Sequence, residues 1–542
     1  MNRHNKFYNP YSFVPLNNEI LTFSKEETEK YEFAHDIPIT KNSISGQIEV
    51  EMRAETPFCI KTNNEHSVNI DRKYFIPGTT IKGMFRNVFE IITLSNIKRM
   101  IADSRYSMRD LRSNDYKLKN NINDRKGGFL IKLNNKHYIV DSYYDNYSYE
   151  EIKDSEGVDI KNIKTISAKY RSLKEGHIFQ DEGYHMWLFS GYMHNKKHEF
   201  LFDIPHDLTK NKYPIEDNEW KDFIFIHEKE NENDSWKFWK RKLKNYSSIE
   251  EIIKDKYEGI VPCFYRLKKE NNKTIVKDLG FSFLYRQPYN KTIHNFLPRT
   301  YHNEELDMTE LVFGYNRDNN NNLKGRVSFS NAFINNIKIG EKQTFIMGKP
   351  KPTFYPFYLK QDKNGRLKTY FTNDAILSGW KRNLVHNEAI KGRSKGYSNV
   401  ESSFIPIKAG ATVKTTIKFH NLSKPELGAL LSAITYHDYK EGYHLLGYAK
   451  AFGYGKFKIL DTILKTQSYN KTTNNIKSYI NDFENLLKEK SINLTNWQNT
   501  LDKLRLLASG QYSETREIKY PSLSTFKQIK NQKLSLRDYS PK

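Results

Sequence analysis

Fifteen residues, Ile76 to Glu90 (IPGTTIKGMFRNVFE), constrain what this chain can fold into more than any others. Pro77 and Gly78 turn the chain at the end of a short apolar strand, Tyr74-Phe75-Ile76. Thr79 or Thr80 then offers a hydroxyl to cap a helix. Ile81, Met84, Phe85, Val88, Phe89 and Ile92 recur at helical spacing, so one face of that helix is apolar and needs a core. Lys82 and Arg86, four residues apart, share one face. A helix start exposes unpaired N–H groups that favour anions. The segment therefore reads as an apolar anchor with a basic, anion-seeking face. A merely solvated basic face reads the same residues equally well.

Other periodic segments surround it. Ser45 to Ile60 alternates apolar and polar residues at Ile48, Val50, Met52 and Ala54, a half-buried strand. Ala411 to Phe419 (ATVKTTIKF) alternates likewise. Ser423 and Glu426 form a capping box with Pro425 in the first turn, and Leu427, Leu430, Leu431 and Ile434 continue a second helix. Met347 to Leu359 (MGKPKPTFYPFYL) is rich in proline and reads as extended. Two amphipathic helices follow, marked by Ile476, Tyr479, Ile480, Phe483, Leu486 and Leu487, and then by Leu501, Leu504 and Leu507. The region 113–304 differs: it is dense in Asn, Asp, Lys and Tyr, with short strand-like runs at 128–133, 137–140 and 199–204. The order strand, helix, long insertion, strand, strand, helix, strand predicts an α+β fold with helices on one face of a sheet.

Composition narrows the partner. The formal net charge is +23, which favours a polyanion. The chain also holds 36 Tyr and 33 Phe, too many aromatics for a disordered chain. Basic residues with aromatics suit single-stranded nucleic acid better than a membrane, although a coding bias towards Lys, Asn and Tyr accounts for part of the charge. Cys59 and Cys263 support neither a disulfide framework nor a zinc ribbon. The first sixteen residues lack a signal-peptide apolar run, and no stretch approaches the roughly 18 apolar residues of a membrane span. A cytoplasmic protein is expected.

A second glycine-rich segment, His444 to Leu460 (HLLGYAKAFGYGKFKIL), joins Gly447, Gly453 and Gly455 to Lys450 and Lys456. It is neither a P-loop nor a dinucleotide fingerprint. As a bare sequence it reads as a glycine-rich hairpin or an anion nest. Four segments in order, however, resemble a known pattern. IPGTTIKGMFR (76–86), VFGYNRDNNNNLKGRVSFSNA (312–332), FHNLSKPELGALLSAI (419–434) and HLLGYAKAFGYGKFKI (444–459) resemble the RAMP superfamily of CRISPR-associated proteins, in particular a large single-chain variety found beside type III systems.

The resemblance implies a ferredoxin-like (RNA-recognition-motif-like) core, an antiparallel sheet with helices on one face. Residues 1–44 precede it as an irregular segment. The core takes residues 45–112 and 305–465, the insertion module 113–304, and a helical region 466–542 closes the chain. It implies an RNA-binding subunit of a type III-like effector ribonucleoprotein in antiviral defence, with guide RNA, complementary target RNA and other effector subunits as partners and no membrane. By motif, the RNA-binding residues are Gly78, Thr79, Thr80, Lys82, Arg86, Arg326, Gly447, Lys450, Gly453, Tyr454, Gly455 and Lys456. No cofactor is expected. Some relatives cut RNA with a metal ion, and Asp71 would then hold Mg²⁺ with phosphate and water completing the shell. Others process guide precursors by acid–base chemistry, for which His35 and His444 are the histidines to consider. His177, His185, His194 and His198 match no zinc spacing. An endoribonuclease and a structural adaptor are thus the alternatives to a binding subunit.

Overall fold

The computed structural model describes residues 6–31, 35, 42–63, 65–97, 105–109, 124–173, 177–180, 183–191, 196–230, 234–316, 322–348, 352–362, 367–392, 400–468, 474–512, 520–536 and 539. The chain divides into two compact units: Met1–Asp103 with Ile293–Lys542, and Ser104–Thr292.

The first unit is built on β1 (Ile44–Ala54), β2 (Lys73–Ile76), α1 (Gly78–Ile92), β3 (Val327–Phe329), β4 (Ala332–Asn335), β5 (Thr412–Leu422), α2 (Lys424–Thr435), β6 (Lys456–Ser468), α3 (Ile476–Glu489) and α4 (Leu494–Ser509). Strand β1 lies between β6 and β5, antiparallel to both, and β5 pairs antiparallel with β3 and β4. Taking β1, the β3–β4 pair, β5 and β6 as strands one to four, the order is 4-1-3-2, with α1 and α2 as crossovers. That is the connectivity of a ferredoxin-like sheet within an α+β fold. Strand β2 extends the sheet beyond β4, through Ile76 opposite Ala332.

Alternation explains the strands. Ile48, Val50 and Met52 of β1 and Val413 and Ile417 of β5 point into one core and are at most 1% exposed. Helix α1 lays Ile81, Phe85, Val88 and Phe89 on that core. Helix α2 begins at the Ser423–Glu426 capping box, and its Leu427, Leu430, Leu431 and Ile434 are buried. Helix α4 adds Trp497, whose indole N–H donates to the Ile92 carbonyl at 2.8 Å, so the helical C-terminal region belongs to the same core. Residues 347–359 are not wholly extended: Tyr355–Tyr358 forms a helical turn with Pro356 at its start. A proline there lacks an N–H that the first turn would leave unpaired anyway.

The second unit has its own core, with Trp187, Trp236 and Trp239 buried in it. Strands Lys126–Leu133, Lys136–Ser142, Lys212–Pro214, Val261–Glu270 and Lys273–Gly280 form one sheet, joined by Asn245–Tyr246. Tyr144–Ser148, His177–Gln180, Gly183–Leu188 and His198–Asp203 form another. The His185 Nδ1–H donates to the Asp203 carboxylate at 2.7 Å, and His194 lies outside the described residues. Among the described residues no helix is long and apolar enough to cross a membrane.

Candidate nucleic-acid interface

Helix α1 starts against its own sheet. A Cβ on Gly78 would lie 2.1 Å from the Phe329 carbonyl oxygen, so only glycine lets the helix begin this close to β3. Its amide N–H donates to the Asn331 side-chain oxygen at 2.8 Å. The N-cap is Pro77, with no side-chain cap, so Thr79 and Thr80 lie inside the first turn and do not cap it. Thr79 is exposed and Thr80 half-buried.

The basic face is present as spaced. Lys82 and Arg86 both stand over the Phe313 ring, each 5.8 Å from its centre. Arg86 pairs with Glu90 at 2.8 Å. Burial raises the Glu90 carboxyl pKa, against the opposing pull of Arg86. Lys82 has no carboxylate partner among the described residues. Partial burial, and then the Arg86 charge, lower its pKa. An ammonium destabilised in this way is stabilised by an incoming anion.

Gly83 lies in the same motif but is not among the expected contacts, and it differs from the other glycines near the site. A Cβ there would meet nothing within 4 Å. Glycine in a helix interior costs about 1 kcal/mol relative to alanine. No neighbour among the described residues requires it. The bare backbone at 83, exposed and flanked by Lys82, Arg86 and Asn87, gives a ligand close access to the helix.

Arg382 was also unforeseen. Its guanidinium donates to the Asn87 side-chain oxygen at 2.5 Å and to the Tyr436 hydroxyl at 3.1 Å. It thereby ties α1 to the end of α2. Its charge adds to burial in lowering the Lys450 pKa.

The glycine-rich loop is shaped by the protein itself. Gly447, Gly453 and Gly455 take φ of +90°, +83° and +79°. A Cβ on each would strike a carbonyl oxygen, of Cys59, Glu388 and Leu446 respectively. These glycines make room for neighbouring main chain. Lys450 folds back to donate to the Gly447 carbonyl at 2.8 Å. Lys456 is half-buried, 4.0 Å from the centre of the Tyr443 ring. Tyr448, half-buried, shares a hydrogen-bonded cluster with Lys61 through Ser402, each contact at 2.8 Å.

Other expected contacts are inside. Arg326 is 2% exposed and paired with Glu426, so it faces the core instead of RNA. Tyr454 is 3% exposed, packed on Phe404 with ring centres 5.1 Å apart, and donates its hydroxyl to the Ile390 carbonyl at 3.1 Å. His444 is fully buried between Tyr436 and Phe85 and bonded to the Ile434 carbonyl at 2.8 Å. Burial pushes its pKa down to about 3, which removes it as an accessible acid or base. His35 bonds the Lys324 carbonyl at 3.2 Å and stacks on His420. Asp71 and Arg72 form the exposed corner between Asn69–Ile70 and β2, with φ of +49° and +64°. Among the described residues no three His, Cys, Asp or Glu side chains are grouped to hold a metal ion.

The open face of the sheet carries an exposed aromatic at its β4 side, Phe333, which is 58% exposed. Across β1, β5 and β6 it shows no outward Phe, Tyr or Trp on which a base could stack. Lys414 there pairs with Glu51 at 3.1 Å and Lys465 with Glu49 at 2.5 Å, while Lys418 is exposed. The face of α1 gathers more positive charge, with Lys82, Arg86 and the Arg382 that bonds Asn87.

The sequence pattern of the RAMP superfamily matches residues 51–458. Among solved structures, a chain titled "CRISPR RNA-guided surveillance complex, pre-nicking" aligns with 82% of this chain and 89% of its own length, at 8% identity and a TM-score of 0.23. Csc2 of Thermofilum pendens aligns with 37% of this chain and 55% of its own, at 15% identity and a TM-score of 0.14. Both superpose only loosely on this chain. No curated protein matches the chain.

Proposed function

The chain belongs to the RAMP superfamily, and from that premise we propose that it is an RNA-binding subunit of a CRISPR effector ribonucleoprotein. The edge formed by Thr79, Lys82, Gly83, Arg86 and Arg382 holds phosphates of a guide RNA. The single observation that carries this reading is the open space at Gly83 beside the unpaired Lys82 ammonium. The helix gives up propensity there, and only an external ligand profits from it. Lys456 and the neighbourhood of Lys450 extend the positive edge. The ordered motifs favour a type III-like complex in the cytoplasm, with target RNA and other effector subunits as further partners.

The test is RNA affinity as a function of salt. Lys82→Glu with Arg86→Glu should weaken binding of a single-stranded guide without unfolding the protein. Loss of two phosphate contacts should also flatten the log–log salt slope by about 1.4, at about 0.7 per contact. An unchanged affinity would sink the assigned grip. Absence of any small RNA from the protein purified with its neighbouring subunits would sink the wider reading.

A further inference from the structure

The second unit contains a cavity of about 430 Å³ that the guide-binding edge does not use. It lies where the hairpin Lys126–Leu133/Lys136–Ser142 meets residues 247–250, and Asn134, Lys136, Tyr138, Thr209, Lys212 and Ser248 line it. Lys136 and Tyr138, two apart on one strand, share a face. Pro214 pairs with Tyr138, which brings Lys212 alongside, its amino group 5.2 Å from the centre of the Tyr138 ring.

The rim is preformed. The corner residues Asn134 and Asn135 both adopt left-handed backbone, φ +49° and +63°. Asn134 donates its amide to the Tyr246 carbonyl at 2.9 Å and its side chain to the Ser247 carbonyl at 3.2 Å. Asn135 donates to the Asn245 side chain at 2.8 Å. The charge is left open. Elsewhere in this unit Lys169, Lys244 and Lys268 each face a carboxylate. Among the described residues neither Lys136 nor Lys212 does. Glu250 also lines the rim and is ionised, its pKa kept low by hydrogen bonds from Ser248 and its own backbone, so Lys136 and Lys212 together outweigh one negative charge.

We propose that this cavity binds a nucleoside 5′-phosphate, free or as one unit of a strand. Its volume suits a ligand of that size. A tyrosine ring offers a stacking face, two ammoniums without a carboxylate partner among the described residues meet the phosphate, and the side-chain oxygens of Asn134 and Thr209 accept from the ribose and base edge. The site does not depend on the α1 edge, and its test is separate.

The full chain is titrated calorimetrically with AMP, adenosine and inorganic phosphate. AMP should bind saturably and about tenfold more tightly than either fragment. Lys136→Glu with Lys212→Glu should lower AMP affinity by about tenfold or more while the melting temperature holds. Tyr138→Ala should lower it while sparing phosphate binding. Lys82→Glu with Arg86→Glu should leave AMP binding unchanged. In that last variant, displacement of AMP by a short oligoadenylate assigns the site to a strand, and indifference assigns it to a free mononucleotide. Phosphate binding as tightly as AMP, no saturable AMP binding, or full AMP affinity in the Lys136/Lys212 variant would each overturn the proposal.

Discussion

Arg326 and Glu426, a hundred residues apart in sequence, meet as a buried ion pair. The guanidinium also donates to Glu426 in a second bond of 3.1 Å, to the Asn421 carbonyl at 2.7 Å and to the Leu311 carbonyl at 3.1 Å. Tyr31 packs over its face, 4.4 Å away. Burial alone would raise the Glu426 pKa, but Arg326 and Ser423 outweigh it and hold it below the ordinary carboxylate value. Glu426 thus serves both the α2 capping box and this pair. Arg326→Ala should cost about 3–5 kcal/mol in urea unfolding, because it strands a buried carboxylate. Replacing both partners by apolar residues of similar volume should cost much less. Guide affinity of the folded fraction should not change. A stable Arg326→Ala protein with weakened RNA binding would return Arg326 to the interface.

Two glycines five residues apart should respond oppositely. Gly78→Ala forces a methyl group onto the Phe329 carbonyl, a backbone atom that cannot swing aside. It should destabilise the protein by about 1–3 kcal/mol. Gly83→Ala meets nothing and removes a helix-interior glycine, so it should stabilise by up to about 1 kcal/mol. Gly83→Leu should keep the fold but weaken guide binding, as measured by equilibrium titration. Undiminished binding by Gly83→Leu would place the RNA elsewhere.

Much of the frame was legible because it is written in local periodicity. Ile81, Met84, Phe85, Val88, Phe89 and Ile92 are buried as their spacing requires, and the Ser423–Glu426 box starts α2. Purposes set at long range were not legible. The sequence around Arg326 does not show that its partner is a capping glutamate. The glycines at 447, 453 and 455 signal tight backbone but not whose carbonyl fills the space. Tyr454 looks like a loop aromatic until Phe345 and Phe404 close around it. Arg382 carries no local motif at all, and only the pairing of its strand with Tyr11–Val14 brings it near α1. Charge spacing found the α1 face, whereas identifying its neighbours required the tertiary fold.

Acid should loosen the first unit through His444. The imidazole is neutral when folded, with Nε2–H donating to the Ile434 carbonyl and Nδ1 buried without a partner. Its folded pKa, about 3, lies below the unfolded value. The unfolded state therefore binds the proton first, and stability is complete above about pH 6.5 and falls as pH drops below it. Between pH 7 and pH 5 the loss from this residue should be about 2 kcal/mol. Unfolding of His444→Phe should show a correspondingly flatter pH dependence than the parent. Equal slopes would mean that His444 is solvated in the folded state.

Asp71 distinguishes a turn residue from a metal ligand. Its left-handed backbone at the corner with Arg72 is one that Asp and Asn tolerate and β-branched residues do not. Asp71→Asn keeps that tolerance and removes the carboxylate charge. If the residue serves the corner, Asp71→Asn should match the parent in melting temperature and guide affinity. RNA incubated with either protein should then give the same products with Mg²⁺ and with EDTA. Asp71→Val should lower the melting temperature by straining the corner. A metal-dependent cut made by the parent and lost in Asp71→Asn, with the melting temperature intact, would instead make the carboxylate a ligand.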